Sequence, residues 1–302
     1  MNSVPITIRL LCLALLLCSS LAKASLLIGA PCPIEVKTHN LSDGKVAYLS
    51  AGKGEPILLL HGLFGQKEQW AELSCELALA GFKVLAPDLP GYGKSAGFQK
   101  EDYKLERQAL IMHRFITEMK INAFHLGGSS MGGAIASLYA HQYPSSIKTL
   151  AFIGGPMGVG PWSAKVKNAL NQGINPFIPV SMEQLNLEMS LLFYEPPVIP
   201  REIKEQLLAD YIGRNQHYQQ VWSVASLYGD AILKKSALFM PTLIFWGADD
   251  GIFELSGIDQ LKLKYPNNKS IVIQKASHLL MLEKPKYIGS QYVEFLRANI
   301  IP

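Results

Sequence analysis

The chain has 302 residues, of which 49% are apolar and 17% charged, with 25 glycines; that length buries a substantial core and excludes a small scaffold held together by disulfides alone. The formal charge is only +4, and no long Lys/Arg tract interleaved with aromatics accompanies it, so nucleic-acid binding has no support.

The first element is a leader. Arg9 precedes LLCLALLLCSSLAKA, an apolar run that ends in small residues and Ala22-Lys23-Ala24. This order of positive flank, apolar stretch and Ala-x-Ala site predicts a signal peptide over 1–24, cleavage after Ala24, and export to a periplasmic or extracellular location. A retained membrane anchor is the competing reading, because SLLI prolongs the apolarity beyond Ala24. Cys18 follows three leucines and matches a lipoprotein site poorly. Loss of the leader removes Arg9 and Lys23 and no acid, which lowers the charge to +2 and argues for no particular anionic partner. Of four cysteines, Cys32 and Cys75 then remain. An oxidising compartment permits a disulfide between them, and two free thiols fit the sequence equally well.

In the mature chain, IEVKTHN and KVAYLS flank Leu41-Ser42-Asp43-Gly44, which reads as a hairpin. EPILLLHG is an apolar strand running into a glycine-containing loop. Trp70 to Ala80 has helical spacing with Gly81 as its stop. FKVLAPD is a further buried strand, followed by the loop LPGYGKS. A helix over 103–119, the strand NAFHLGGS, a helix from Met131 to Tyr143 closed by Pro144, and the strand IKTLAFIG complete the first part. This alternation predicts a mostly parallel sheet covered by helices on both faces. From Pro156 to about Ser236 the rhythm breaks into proline-bounded helical pieces rich in Leu, Met, Phe and Tyr. It resumes with PTLIFWG, KSIVIQK and a final helix over 285–297. The expected organisation is one core, residues 25–155 and 237–302, with a helical lid inserted at 156–236.

Gly128-Ser129-Ser130-Met131-Gly132 fits the pattern G-x-S-x-G only with Ser130 at its centre. The spacing has a steric reason: where a strand reverses sharply into a helix, a side chain at either glycine would collide with its neighbours. Ser130 would then stand exposed on the turn, while Ser129 lies in the strand end. A serine hydroxyl is a weak nucleophile and needs a base, and the base needs an orienting acid. Of the seven histidines, His278 alone follows the last strand, in ASHLLMLEKP, where a loop at the carboxyl edge of the sheet would bring it to Ser130. The acid is expected from FWGADDGIF, which offers Asp249 and Asp250; spacing does not separate them. Asp88, also at a strand end, precedes the serine and is a less natural partner.

In this order the motifs resemble the α/β-hydrolase family, over nearly all of residues 34–298. LLLHGLFG at 58–65 looks like the family's oxyanion loop, PDLPGYGKS at 87–95 like its D-x-x-G-x-G-x-S loop, and GSSMGG at 128–133 like its nucleophile elbow. WGADD at 246–250 matches G-x-x-D and selects Asp250 over Asp249. SHLLMLEKP is similar to the histidine segment, with Glu283 and Pro285 in their usual places. The resemblance implies a Ser130–His278–Asp250 triad, an oxyanion hole made of the backbone N–H groups of Leu63 and Met131, and a supporting role for His61. It implies no cofactor and no metal, and no His/Asp cluster suggests one.

Within the family, the serine argues against haloalkane dehalogenases and epoxide hydrolases, and HGLFG departs from the HGGPG of proline iminopeptidases. The nearest likeness is to monoacylglycerol lipases and secreted bacterial esterases or lipases. The insertion carries Phe177, Ile178, Leu185, Met189, Leu192 and Trp222, apolar residues that suit either an acyl chain or the packing of lid on sheet. The expected partner is therefore a small ester or lipid substrate, with transient membrane-surface contact and no obligate protein partner. A hydrolase of carbon–carbon bonds in ring-cleavage products, a thioesterase and a non-catalytic binding protein remain as alternatives.

Overall fold

The computed structural model describes residues 32–299. The expected leader, residues 1–24, lies outside the described residues. Among those described, no helix is long and apolar enough to cross a membrane.

The first hairpin pairs β1 (Ile34–Leu41) with β2 (Gly44–Ala51). Leu41 faces Gly44 directly, so the turn is Ser42-Asp43 and Gly44 already belongs to the strand, one position from where the Asp-Gly signal puts it. There follow β3 (Glu55–Leu60), β4 (Phe82–Pro87), β5 (Phe124–Gly128), β6 (Ile147–Ile153), β7 (Thr242–Gly247) and β8 (Asn268–Ile273). The sheet order is β1-β2-β4-β3-β5-β6-β7-β8. β2 runs antiparallel to β1 and β4, and every later pairing is parallel.

The continuous apolar runs of β3 to β7 have a direct cause: both faces of the sheet are covered. Leu58, Leu60, Leu126, Leu150, Phe152 and Ile244 point into one core. It is closed by α2 (Leu105–Glu118), α3 (Met131–Gln142) and α8 (Gly257–Lys264). The alternate residues Ile57, Leu59, Val84, Ala151, Leu243 and Phe245 point into a second core, closed by α1 (Ala71–Leu79) and α10 (Pro285–Ala298). The helix expected from Trp70 starts one residue later, because Lys67–Trp70 forms a 3₁₀ turn; that expected at 103 likewise begins at Leu105 behind a 3₁₀ turn over Lys100–Tyr103.

Between β6 and β7 lie α4 (Ala164–Asn171), α5 (Met182–Leu192), α6 (Arg201–Gly213) and α7 (Asn215–Ala225). Ser181 caps α5, its hydroxyl accepting the Gln184 N–H. Short α9 (Leu280–Glu283) precedes α10.

Cys32 and Cys75 form a disulfide with Cα atoms 5.4 Å apart. This settles the pairing that sequence left open. It ties the entry of β1 to α1 across 43 residues of chain.

Candidate active site

The strand β5 ends at Gly128 and α3 begins at Met131, so the chain turns within Ser129 and Ser130. Ser130 takes φ 53° and ψ −120°, a backbone conformation that costs a non-glycine residue about 1–3 kcal/mol. The surrounding glycines make this turn physically admissible. A Cβ at Gly128 would lie 2.3 Å from the Gly132 carbonyl oxygen, and one at Gly132 would lie 2.1 Å from that of Leu60. The Ser130 carbonyl accepts the N–H groups of Gly133 and Ala134, and also that of Met157 after β6. Ser129 is fully buried and its hydroxyl has no hydrogen-bond partner.

Ser130 and His278 line one cavity. His278 precedes α9 in the loop after β8, is 2% exposed, and places Nδ1 3.0 and 3.1 Å from the two Asp250 carboxylate oxygens. Asp250 Oδ1 also accepts the N–H groups of Ile252 and Phe253 at 2.8 and 3.1 Å. These bonds fix the carboxylate from behind and leave it facing the imidazole. The neighbouring Asp249 points into solvent, which separates the two acids that spacing alone could not.

The histidine loop is held by the helices between β6 and β7. The Leu192 carbonyl at the end of α5 accepts the N–H groups of His278 and Leu279. The Ser277 hydroxyl donates to the Leu191 carbonyl at 2.9 Å. Glu283 accepts the Ser277 N–H on one oxygen and the Tyr194 N–H on the other, at 2.6 and 2.8 Å. Burial raises the Glu283 carboxyl above its ordinary range, and the two N–H donors oppose the rise.

On the other side of Ser130, Gly62 approaches so closely that a Cβ there would lie 3.1 Å from the serine Cβ. Leu63 lines the cavity beside it, and Met131 opens α3, where the first N–H groups have no intrahelical acceptor. His61 is buried behind this loop. Its Nδ1 donates to the Gly62 carbonyl at 2.8 Å and its Nε2 accepts the Leu89 N–H at 3.0 Å. Burial pushes its pKa down to about 4 against the opposing pull of Asp88, so the ring stays neutral and holds the loop.

Asp88 is not at the cavity. It lies fully buried and accepts the Lys67 amine at 2.7 Å, the Lys67 N–H at 2.8 Å and the Lys94 N–H at 2.8 Å. Lys67 also contacts Glu68 at 3.0 Å. This buried cluster cross-links the loop after β3 to the loop after β4.

The cavity is open to solvent, and together with the solvent space at its mouth spans about 880 Å³. Its wall is mainly apolar, with Met157, Trp162, Met189, Phe193, Leu207 and Ile252. Beside Ser130 and His278, the polar residues of this wall, Gln69, Glu188 and Tyr211, escaped the sequence reading. Glu188 on α5 and Tyr211 on α6 face the cavity, and the Tyr211 hydroxyl donates to Glu188 Oε1 at 2.8 Å. A signal existed: in MEQLNLEMSLL, Glu188 falls between Leu185, Met189 and Leu192, on the apolar side of the helical repeat.

A family model described as the alpha/beta hydrolase fold matches residues 55–177. Lipase 1 of Psychrobacter immobilis is 28% identical over 273 residues, covering 87% of this chain and 84% of that one. Monoacylglycerol lipase ABHD6 of Mus musculus is 27% identical over 267 residues, covering 82% and 77%. Among solved structures, a membrane phospholipase A described as a bacterial virulence factor superposes with a TM-score of 0.78 at 26% identity, covering 88% of this chain and 86% of that one.

Proposed function

Because this chain is an α/β hydrolase and a serine ester hydrolase, we propose that it cleaves lipid-like carboxylic esters, monoacylglycerols or short- to medium-chain esters, through an acyl-enzyme on Ser130. The observation that carries the reading is the convergence of Ser130 and His278 on one apolar cavity, with Asp250 bonded to the far nitrogen of the imidazole. His278 Nε2 takes the Ser130 proton as the hydroxyl oxygen attacks the ester carbonyl. Asp250 keeps the proton of the ring on Nδ1 and stabilises the imidazolium that forms. The N–H groups of Met131 and Leu63 receive the developing oxyanion, an effect worth about 3–4 kcal/mol per donor in the transition state. The imidazolium then protonates the leaving alkoxide. A water deprotonated by His278 attacks the acyl-enzyme and releases the acid.

The substrate class rests on the cavity wall and on the relatives. Each methylene moved from water to such a wall contributes roughly 0.8 kcal/mol, which favours an acyl chain. In this reading the inserted helices act as a lid, α5 and α6 supplying Glu188, Met189, Leu192, Leu207 and Tyr211 to the cavity wall. We also propose that the protein is exported through residues 1–24, a leader retained as an anchor being the other route to the membrane surface where lipid substrates lie; the Cys32–Cys75 disulfide accords with an oxidising compartment.

The test is a chain-length series of p-nitrophenyl esters and monoacylglycerols with purified protein, and the same series with Ser130→Ala. Turnover of the esters that vanishes in Ser130→Ala, with Ser129→Ala much milder, is expected. Full activity in Ser130→Ala, or negligible ester turnover beside rapid hydrolysis of a ring-cleavage product, would overturn the reading.

A further inference from the structure

The cavity wall contains polar atoms that the ester chemistry does not use. Glu188 is 4% exposed. Its Oε1 is engaged by Tyr211, and its Oε2 is buried with no hydrogen-bond partner. Gln69, after the loop that carries Leu63, lines the same cavity; it too is 4% exposed, and its Nε2 is buried without a partner. A buried polar atom without a partner costs free energy that a ligand recovers by pairing with it. Both residues line the cavity that Ser130 and His278 share, within a mainly apolar wall.

The chemistry of the pair narrows the ligand. Burial raises the Glu188 carboxyl to about 8, opposed by the Tyr211 bond, so at neutral pH it is an uncharged acid that can donate a hydrogen bond. Gln69 offers an amide N–H. An ammonium group would lose its hydration to a wall with a single carboxyl, at high cost. A hydroxyl donates and accepts, and gives up far less on leaving water.

We propose that Glu188, oriented by Tyr211 and joined by Gln69, forms a hydroxyl-recognising subsite, so that the preferred substrates are esters carrying a free hydroxyl in addition to the acyl carbonyl. The inference rests on the ester-hydrolase reading and specifies its substrate class. Glu188 acts here as a specificity residue, and the bond cleaved is unchanged. The hydroxyl belongs either to the alcohol portion of the ester or to the acyl chain.

Matched esters separate these sources. Glyceryl monooctanoate and propyl octanoate differ in the hydroxyls of the alcohol. Propyl ω-hydroxyoctanoate and propyl octanoate differ in that of the acyl chain. For wild type, kcat/KM is expected to favour the hydroxylated member of one pair by at least about fivefold, the factor of one neutral hydrogen bond. In Glu188→Leu that ratio falls toward one, whereas Glu188→Gln, which keeps a donor and an acceptor in the same shape, retains most of it. A preference in the first pair assigns the hydroxyl to the alcohol, and in the second to the acyl chain. The absence of preference in both pairs, or a ratio unchanged in Glu188→Leu, overturns the proposal while propyl octanoate turnover leaves the hydrolase reading intact. Should Glu188→Leu fail to fold, the wild-type ratios and Gln69→Leu decide in the same way. No turnover of any ester by wild type would remove both.

Discussion

Replacing Glu188 by Gln should change how stability depends on pH, and the magnitude follows from the burial of one carboxyl. In the folded protein its pKa is raised from 4.5 to about 8, because the charged form would sit among apolar side chains with one hydroxyl donor. In the unfolded chain it titrates near 4.5. Between these values the native state holds a proton that the unfolded state has released, so stability falls as pH rises and becomes flat above about 8. At 1.36 kcal/mol per pH unit, the loss is about 2 kcal/mol from pH 6.5 to 8 and roughly 5 kcal/mol over the whole interval. This is an upper figure, since water admitted to the cavity reduces it. His61 acts with the opposite sign: its folded pKa of about 4 lies below the usual 6.5, so stability rises with pH between those values. Groups other than Glu188 titrate alike in wild type and variant, so the difference between the two profiles above pH 6.5 reports Glu188. Urea unfolding of wild type and Glu188→Gln at half-unit steps from pH 6.5 to 8.5 should show wild type losing about 2 kcal/mol relative to the variant. Parallel profiles would refute the claim that this carboxyl is buried and protonated.

Three further perturbations test other parts of the structure. Gly132→Ala sets a methyl 2.1 Å from the Leu60 carbonyl and 2.5 Å from that of His61, contacts that force the end of β3 away from the elbow; kcat should collapse and the melting temperature should drop, and unchanged values of both would contradict the steric account of the motif. Breaking the Cys32–Cys75 link frees a span of 43 residues, which loop-closure entropy converts to about 4 kcal/mol; urea midpoints of the oxidised protein and of the Cys32→Ser/Cys75→Ser double variant measure it, and coincident midpoints count against the bond. Lys67→Met leaves the buried Asp88 and Glu68 carboxylates without their amine, an uncompensated charge worth about 3–5 kcal/mol in unfolding free energy; a loss under 1 kcal/mol would show that water enters the cluster.

Much of the fold was legible because its signals are local. The apolar runs of β3 to β7 announce strands buried on both faces, and the helices after β3, β4 and β5 stand where the spacing puts them, whereas α8 (Gly257–Lys264) after β7 was not foreseen. The hairpin was placed but its turn was displaced by one position, since Asp-Gly reports a turn nearby without stating which residue begins the second strand. The starts of α1 and α2 were displaced by 3₁₀ turns, which share the helical spacing of apolar residues and differ only in hydrogen bonding.

At the candidate site the elbow was readable for a steric reason: Gly128 and Gly132 are required by backbone atoms within a few residues or one strand away. Glu188 was overlooked because an acid on a helix is normally a solvated face, although its position in the apolar repeat distinguished it.

By itself the sequence determined the order of the strands, the helices of the first half of the core, the serine that sits on the turn, and a histidine after the last strand, because these depend on short-range sterics and on the period of apolar residues. Tertiary structure alone decided that Cys32 reaches Cys75, that the Asp250 the motif selects stands against the His278 imidazole, and that Glu188 and Gln69, each with an unpaired buried atom, line the cavity of Ser130. Those are meetings of side chains from distant elements. Their energies depend on burial and on distances of about 3 Å, quantities that exist only once the chain has packed.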